Sequence, residues 1–282
     1  MYNASLILEG GGMRGTYTAG ILDYFMEKGL DFSSLYGVSA GALNGANYMS
    51  KQLDRSARVM INYIDDERYA GKNYLLKTGD YFNLDFVYNT IPNELDPVDH
   101  EAFRNNPTKF FAVVSNVETG KPEYFQIKDL EKDMDKLRAS ASLPLLSNTV
   151  KIDGKKYLDG GICDSIPLRK SITDGNDKNI VILTQHREFV KKPSGNKHIT
   201  RVFYRRYPKF IEACEIRHLM YNNETAYVHM MEDEGKAFVI QPKEPVKIAR
   251  LEKDKSKLWE LYAEGKKDAA EIYDKVIEYL EK

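Results

Sequence analysis

The sequence predicts an α/β fold, and three observations carry that expectation. Two short apolar runs near the N-terminus each end in small residues, a helical period joins them, and later apolar runs recur with hairpin signals. Residues 4–8 are apolar and bounded by Gly10, Gly11 and Gly12, as expected of a buried parallel strand that ends in a loop. Within residues 16–28, Ile21, Leu22, Phe25 and Met26 fall at helical spacing, and Gly29 stands where a C-terminal cap belongs. Residues 35–38 form the second run, broken at Ser39, Ala40 and Gly41 and continued by a small-residue helix over 42–46.

Further along, residues 53–64 have helical period, while 80–97 are aromatic and interrupted by Pro92 and Pro97, which predicts a loop-rich excursion. Residues 110–117 and 122–127 flank a Glu118-Thr119-Gly120-Lys121 turn and read as a hairpin. Leu130, Met134, Leu137 and Ala141 mark an amphipathic helix stopped by Pro144. A second hairpin signal places Asp153-Gly154 between residues 149–152 and 155–158, and its far strand runs into Asp159-Gly160-Gly161. Residues 180–184 and 237–241 are buried-strand candidates. From Leu258 to Leu280 the apolar residues form two helical stripes with a break expected near Gly265. With no internal repeat and no low-complexity linker, residues 1–282 read as one domain, of which 186–282 is a helical C-terminal elaboration.

Composition excludes several functions. A chain of 282 residues buries a core without disulfides or metal. Its 41 Lys+Arg against 42 Asp+Glu create no global field for nucleic acid, so no nucleic-acid partner is expected and any electropositive site must be local. Cys163 and Cys214 form no CxxC pattern and read as reduced thiols, not as a zinc knuckle or a secreted disulfide framework. The N-terminus lacks a basic and then apolar leader, and no stretch approaches the ~18 apolar residues of a membrane span, so a cytoplasmic protein is expected.

Three motifs carry the chemistry. Gly10-Gly11-Gly12-Met13-Arg14-Gly15 lies where a strand hands over to a helix, so its backbone N–H groups can face an anion at the positive helix end. The same residues satisfy the dinucleotide pattern G-x-G-x-x-G, which calls for an acidic residue closing the next strand. That position leads instead into Gly37-Val38-Ser39-Ala40-Gly41, the G-x-S-x-G elbow that lifts a serine above a sheet edge. A right-handed strand-helix-strand unit brings the glycine loop and Ser39 to the same edge, and a serine beside backbone donors is half of an acyl-transfer site. Asp159-Gly160-Gly161 ends another strand. No histidine lies in the three motifs, and a partly desolvated carboxylate within hydrogen-bond reach of a serine can take its proton.

Taken in order, these residues resemble the bacterial members of the patatin-like phospholipase family. Its pattern of GGGxRG, GxSxG, a Ser- and Pro-containing block and DGG stands here at residues 10–15, 37–41, 139–144 and 159–161, within 4–167. The resemblance implies a three-layer α/β/α sandwich with a mostly parallel sheet and the elbow after the second strand. It also implies lipid acyl ester hydrolysis by a Ser-Asp dyad: Ser39 as nucleophile, Asp159 as general base, and Gly11, Gly12 and Arg14 at the oxyanion hole. Neither metal nor cofactor is implied, and the substrate is a phospholipid or another acyl ester. Past Leu168 the similarity is weak and carries no residue roles.

Two rivals stand beside this reading. A Ser-His-Asp hydrolase would use Ser39, Asp159 and His186, which appear in the right order, although its elbow follows several strands. A dinucleotide- or anion-binding module would use only the glycine loop. Arg14, a cation beside a helix N-terminus, needs a compensating partner, either the oxyanion loop or a lipid phosphate in a functional role, or a structural ion pair. Residues 187–217 hold nine Lys/Arg against three Glu, interleaved with Phe189, Phe203, Tyr204, Tyr207 and Phe210. The favoured reading is a solvated helix face whose aromatics pack on the core, with transient contact at an anionic membrane as the other.

Overall fold

The computed structural model describes all 282 residues, Met1–Lys282. One sheet holds eight strands: β1 (Tyr2–Leu8), β2 (Phe32–Val38), β3 (Lys109–Asn116), β4 (Lys121–Ile127), β5 (Val150–Ile152), β6 (Lys155–Asp159), β7 (Asn179–Ile182) and β8 (Ala237–Ile240). The α-helices are α1 (Gly15–Glu27), α2 (Ala40–Met49), α3 (Arg55–Ile61), α4 (Lys72–Thr78), α5 (His100–Asn105), α6 (Leu130–Ala141), α7 (Leu168–Thr173), α8 (Lys197–Phe203), α9 (Pro208–Asp233) and α10 (Lys255–Glu281). β8, β7, β1, β2 and β3 lie side by side in parallel. Along β1 the side chains alternate between two cores: Ala4, Leu6 and Leu8 face one, Ile7 the other. Helices α1, α2, α6 and α10 cover the first face and α7 and α9 the second, which is why these strands are apolar on both sides.

The antiparallel part of the sheet positions the chemistry. β4 runs along one edge of β3 as a hairpin partner. On the opposite edge, β2 pairs with residues 109–113 and β6 pairs with residues 114–116. Because β2 is parallel to β3 and β6 antiparallel, their carboxyl ends meet: Val38 lies opposite Val113 and Asp159 opposite Val114. The β5-β6 turn supplies Asp153 at φ 48° and Gly154 at φ 81°, the left-handed pair that a two-residue hairpin requires.

Two expectations need correction. Within residues 80–97, Phe86–Leu95 is not a loop but a wide π-type helix that contains Pro92. Phe86 and Ile91, five residues apart, both pack with Tyr69, and the i to i+5 hydrogen bonding of a π turn brings such residues to one side. Near Gly265 there is no break, since α10 is continuous over 27 residues. Gly265 is instead a contact point: a Cβ there would lie 2.1 Å from the Tyr17 carbonyl oxygen, and one at Gly20 of α1 would lie 2.1 Å from that of Tyr262. The two backbones therefore touch, and Tyr17 donates to Asp268 (2.9 Å) and Tyr262 to Asp23 (2.8 Å) across the crossing. The 26-residue α9, which lies in the helical elaboration over 186–282, carries no continuous apolar stripe, because Arg217 and Glu224 share the spacing of its buried Phe210, Ala213, Tyr221, Val228 and Met231.

The crossing yields a prediction whose sign is informative. Helix propensity alone would make Gly265→Ala stabilising by roughly 1 kcal/mol. Overpacking against a backbone carbonyl outweighs that, so a net loss of about 2 kcal/mol and a Tm lower by about 5 °C are expected. Thermal melting by circular dichroism checks it, and a raised Tm would mean that the helices do not meet this closely.

Candidate active site

Ser39 follows β2 directly at φ 54° and ψ −123°, a backbone conformation that costs on the order of 1–3 kcal/mol for a residue with a side chain. The surroundings hold it there. A Cβ on Gly41 would lie 2.5 Å from the Leu8 carbonyl oxygen, so only glycine lets α2 start this close to the end of β1. The Ser39 carbonyl accepts the Ala42 N–H (2.9 Å), and its own N–H donates to Ser140 Oγ (3.0 Å) at the end of α6.

Ser39 Oγ donates to Asp159 Oδ2 at 2.6 Å, and Asp159 Oδ1 accepts the Gly161 N–H at 2.8 Å. The Asp159 N–H donates to the Ser142 carbonyl (2.7 Å), and Ser115 Oγ donates to the Asp159 carbonyl (2.8 Å). At 3% and 8% exposure, Asp159 and Ser39 are shielded from bulk water. Such shielding strengthens the hydrogen bond between them. His186 stands edge-on to Phe189 with its Nδ1 unpartnered, and no histidine hydrogen-bonds to Ser39 or Asp159.

The glycine loop abuts the elbow, for a Cβ on Gly10 would sit 3.0 Å from Ser39 Cβ. Gly12 takes φ +58°, and the N–H groups of Gly11 and Gly12 meet no acceptor in the chain. Met13 N–H donates to the Arg250 carbonyl at 3.1 Å, which ties the loop to the segment before α10. At the loop's base the buried Glu9 accepts from Thr184 N–H (2.6 Å), Thr184 Oγ1 (3.1 Å) and Tyr221 OH (2.9 Å). Arg14 is half-buried, forms no ion pair and keeps its Nε without a partner, so the structural ion pair weighed for it is not present.

An apolar cavity of about 90 Å³ opens beside Ser39, walled by Leu43, Met60, Tyr69, Phe82, Tyr88 and Leu143. A neighbouring cavity of about 110 Å³ shares Leu43, Met60, Tyr69 and Tyr88 and reaches Leu130, Met134 and Leu137. Together they lead from the serine into the layer between α2 and α6. Phe82, Val87 and Tyr88 come from the excursion over residues 80–97, so that segment forms a wall of the site. Ser140 stands in the quoted Ser- and Pro-containing block, yet only the fold reveals its bond to the elbow. Arg250 has no local sequence signal at all.

Past Asp159 the chain is anchored to α9. Glu224 Oε2 accepts the Ser165 N–H (3.0 Å), and Tyr124 OH donates to Asp164 Oδ2 (2.6 Å). Burial pushes the Asp164 carboxyl up to about 6, and burial together with Asp164 raises Glu224. Cys163 and Cys214 are free, and burial raises the thiol of Cys163 to about 11 and that of Cys214 to about 12, so neither is poised as a nucleophile.

A mostly parallel sheet that ends in a strained serine, with a neighbouring strand's aspartate on its hydroxyl, defines the class: an α/β/α protein with a nucleophile elbow. The chain belongs to the patatin-like phospholipase family, whose family model matches residues 6–171. Residues 207–281 match a second model, a domain of unknown function (DUF6363). The chain is 28% identical over 201 residues to the uncharacterized protein YjjU of Escherichia coli, covering 70% of this chain and 56% of that protein. To an uncharacterized NTE family protein of Mycobacterium tuberculosis it is 25% identical over 172 residues, or 58% of this chain and 44% of the relative. The lysophospholipase nte1 of Aspergillus terreus is 27% identical over 173 residues, 58% of this chain and 11% of its own length. The chain thus spans about half the length of the first two relatives. Among solved structures, VipD from Legionella pneumophila superposes with a TM-score of 0.52 at 13% identity, covering 98% of this chain and 67% of that one, a likeness of fold alone.

Proposed function

We propose that the chain hydrolyses carboxylic esters of phospholipids or other acyl lipids through an acyl-enzyme on Ser39. The observation that carries this reading is the 2.6 Å hydrogen bond from Ser39 Oγ to buried Asp159 at the mouth of an apolar cavity. Asp159 takes the hydroxyl proton as Oγ attacks the ester carbonyl carbon, and the resulting oxyanion meets the N–H groups of Gly11 and Gly12, with Arg14 beside them. Collapse breaks the bond to the alcohol, which leaves with the proton from Asp159. Water then attacks the acyl-enzyme, giving its proton to Asp159, and the fatty acid departs as Ser39 is restored. The acyl chain lies in the cavity leading to Leu130 and Leu137.

No helix is long and apolar enough to cross a membrane. Contact with a lipid surface falls to α8, where Val202 and Phe203 are 68% and 70% exposed beside Lys197, Arg201, Arg205 and Arg206. Tyr204 and Phe210 are buried and Phe189 and Tyr207 half-buried, so most of that segment's aromatics do pack inward.

A fluorophosphonate probe tests the reading, since it phosphonylates only an activated serine. Labelling of the peptide that contains Ser39, with loss of ester hydrolysis in proportion, is the expected result. Labelling at another serine, or none in protein that hydrolyses esters, would refute it.

A further inference from the structure

Beside the serine's apolar cavity lies a polar one of about 120 Å³, walled by Lys197, Arg217 and Arg250 together with Ser194, Asn196 and Thr200. Arg250 is common to both cavities. Arg217 Nε donates to the Gly161 carbonyl, two residues past Asp159, and the Arg250 carbonyl holds the glycine loop through Met13. None of the three cations forms an ion pair: the cavity's one acid, Glu215, is taken by Arg201 at 2.5 Å. Lys191 and Arg14 add positive charge to the field of the same arginines, and the nearby carboxylates are already engaged, Glu9 with Thr184 and Tyr221, Asp159 with Ser39 and Gly161. Burial and neighbouring Arg217 push the Arg250 guanidinium down to about 10, and burial and the same arginines push Lys191 down to about 7. Arg217, Arg250 and Lys191 are half-buried cations that repel one another with no ion-pair partner, an arrangement costly to hold, and an anion among them reduces the cost.

Arg217 also interrupts the buried apolar stripe of α9, a local inconsistency of the kind expected where a residue serves a ligand. Arg217 and Arg250 both fall in residues 207–281, the segment of unknown function, and Lys197 precedes it. We propose that Lys197, Arg217 and Arg250 form a headgroup subsite that takes the phosphate of the acyl ester bound at Ser39, favouring headgroups of net negative charge over zwitterionic or neutral ones. Two guanidinium groups and an ammonium, with hydroxyl and amide side chains, match the several oxygens of a phosphate better than the two of a carboxylate. A choline headgroup would bring a further cation to a site already in surplus, and a glyceride would leave the cations unpaired.

The proposal rests on the reading of Ser39 as nucleophile, so its test begins with binding alone. Isothermal titration of sn-glycerol 3-phosphate, inorganic phosphate and glycerol into Ser39→Ala protein should show sn-glycerol 3-phosphate bound more tightly than phosphate, and glycerol not bound. Arg250→Gln and Lys197→Gln should each weaken that binding by about tenfold, with Arg250→Lys restoring part of it. Lys197 is exposed on α8, so its variant keeps the test decisive even where Arg250→Gln fails to fold. With Ser39 intact, the ratio of kcat/KM for monomeric dihexanoyl phosphatidylglycerol to that for dihexanoyl phosphatidylcholine should exceed one and fall toward one in Lys197→Gln. Absent binding of sn-glycerol 3-phosphate, or binding that neither substitution weakens, overturns the subsite. Inorganic phosphate bound equally well makes it a free-phosphate site and overturns the headgroup assignment. Binding as expected in a protein that hydrolyses no ester counts against the reading of Ser39 and leaves the anion subsite standing.

Discussion

Ser39→Ala should abolish hydrolysis of a short-chain nitrophenyl ester, lowering kcat/KM by about 10⁴-fold or more, because the proposed mechanism gives the acyl group to Ser39 alone. The fold should survive. Alanine meets the same backbone strain at φ 54° as serine does, and the elbow's packing against Leu8 involves Gly41, not the hydroxyl. The loss is one hydrogen bond, which leaves Asp159 Oδ2 without a donor at a cost of about 1–3 kcal/mol, within the usual 5–15 kcal/mol of a domain's stability. Steady-state rates on purified protein, with circular dichroism as the folding control, decide it. A folded variant that turns over at the wild-type rate would remove Ser39 from the mechanism.

Asp159→Asn is the second large effect, an expected fall of ~10²–10⁴ in kcat from the loss of general-base assistance. An amide is a close isostere: its oxygen can still accept the Gly161 N–H that Oδ1 holds at 2.8 Å, while its NH₂ faces Ser39 and cannot take a proton. The substitution therefore separates chemistry from architecture. The complementary set is His100, His186, His198, His218 and His229, each changed to Ala. In a triad the imidazole is the base, so one of these variants would be at least as damaged as Asp159→Asn. Both Asp159 oxygens are engaged without a histidine, and His186 faces Phe189, so all five should remain active. A single folded but inactive histidine variant would overturn the dyad.

Local signals located most of the elements. The short apolar run of β1, the Asp153-Gly154 turn, and the periodicity of α1 and α6 are short-range properties, and the strands and helices stand where those patterns put them. The misread segments are those where tertiary contacts override local preference. Pro92 and the aromatics around it suggested a loop, but Phe86 and Ile91 pack beneath Tyr69 in a wide helix. Gly265 suggested a break, but it is where α10 touches the backbone of α1. α9 falls in the segment read as helical, but its bounds carry no periodic signal, because Arg217 and Glu224 occupy positions that periodicity reserves for apolar side chains.

The sequence by itself determined the chemistry available: a serine in an elbow, a glycine loop one helix upstream, an aspartate closing a strand, and a family pattern joining them. Each is a motif within a few residues, so chain order and residue type suffice to find it. Only the tertiary structure decided that Ser39 and Asp159, 120 residues apart, share a hydrogen bond, because β2 and β6 reach the same edge of β3 from opposite directions and their ends meet beside Val113 and Val114. It alone also brought Arg217 and Arg250 to a cavity beside the serine. Those contacts depend on strand register and helix packing across the whole chain, and no window of neighbouring residues encodes them.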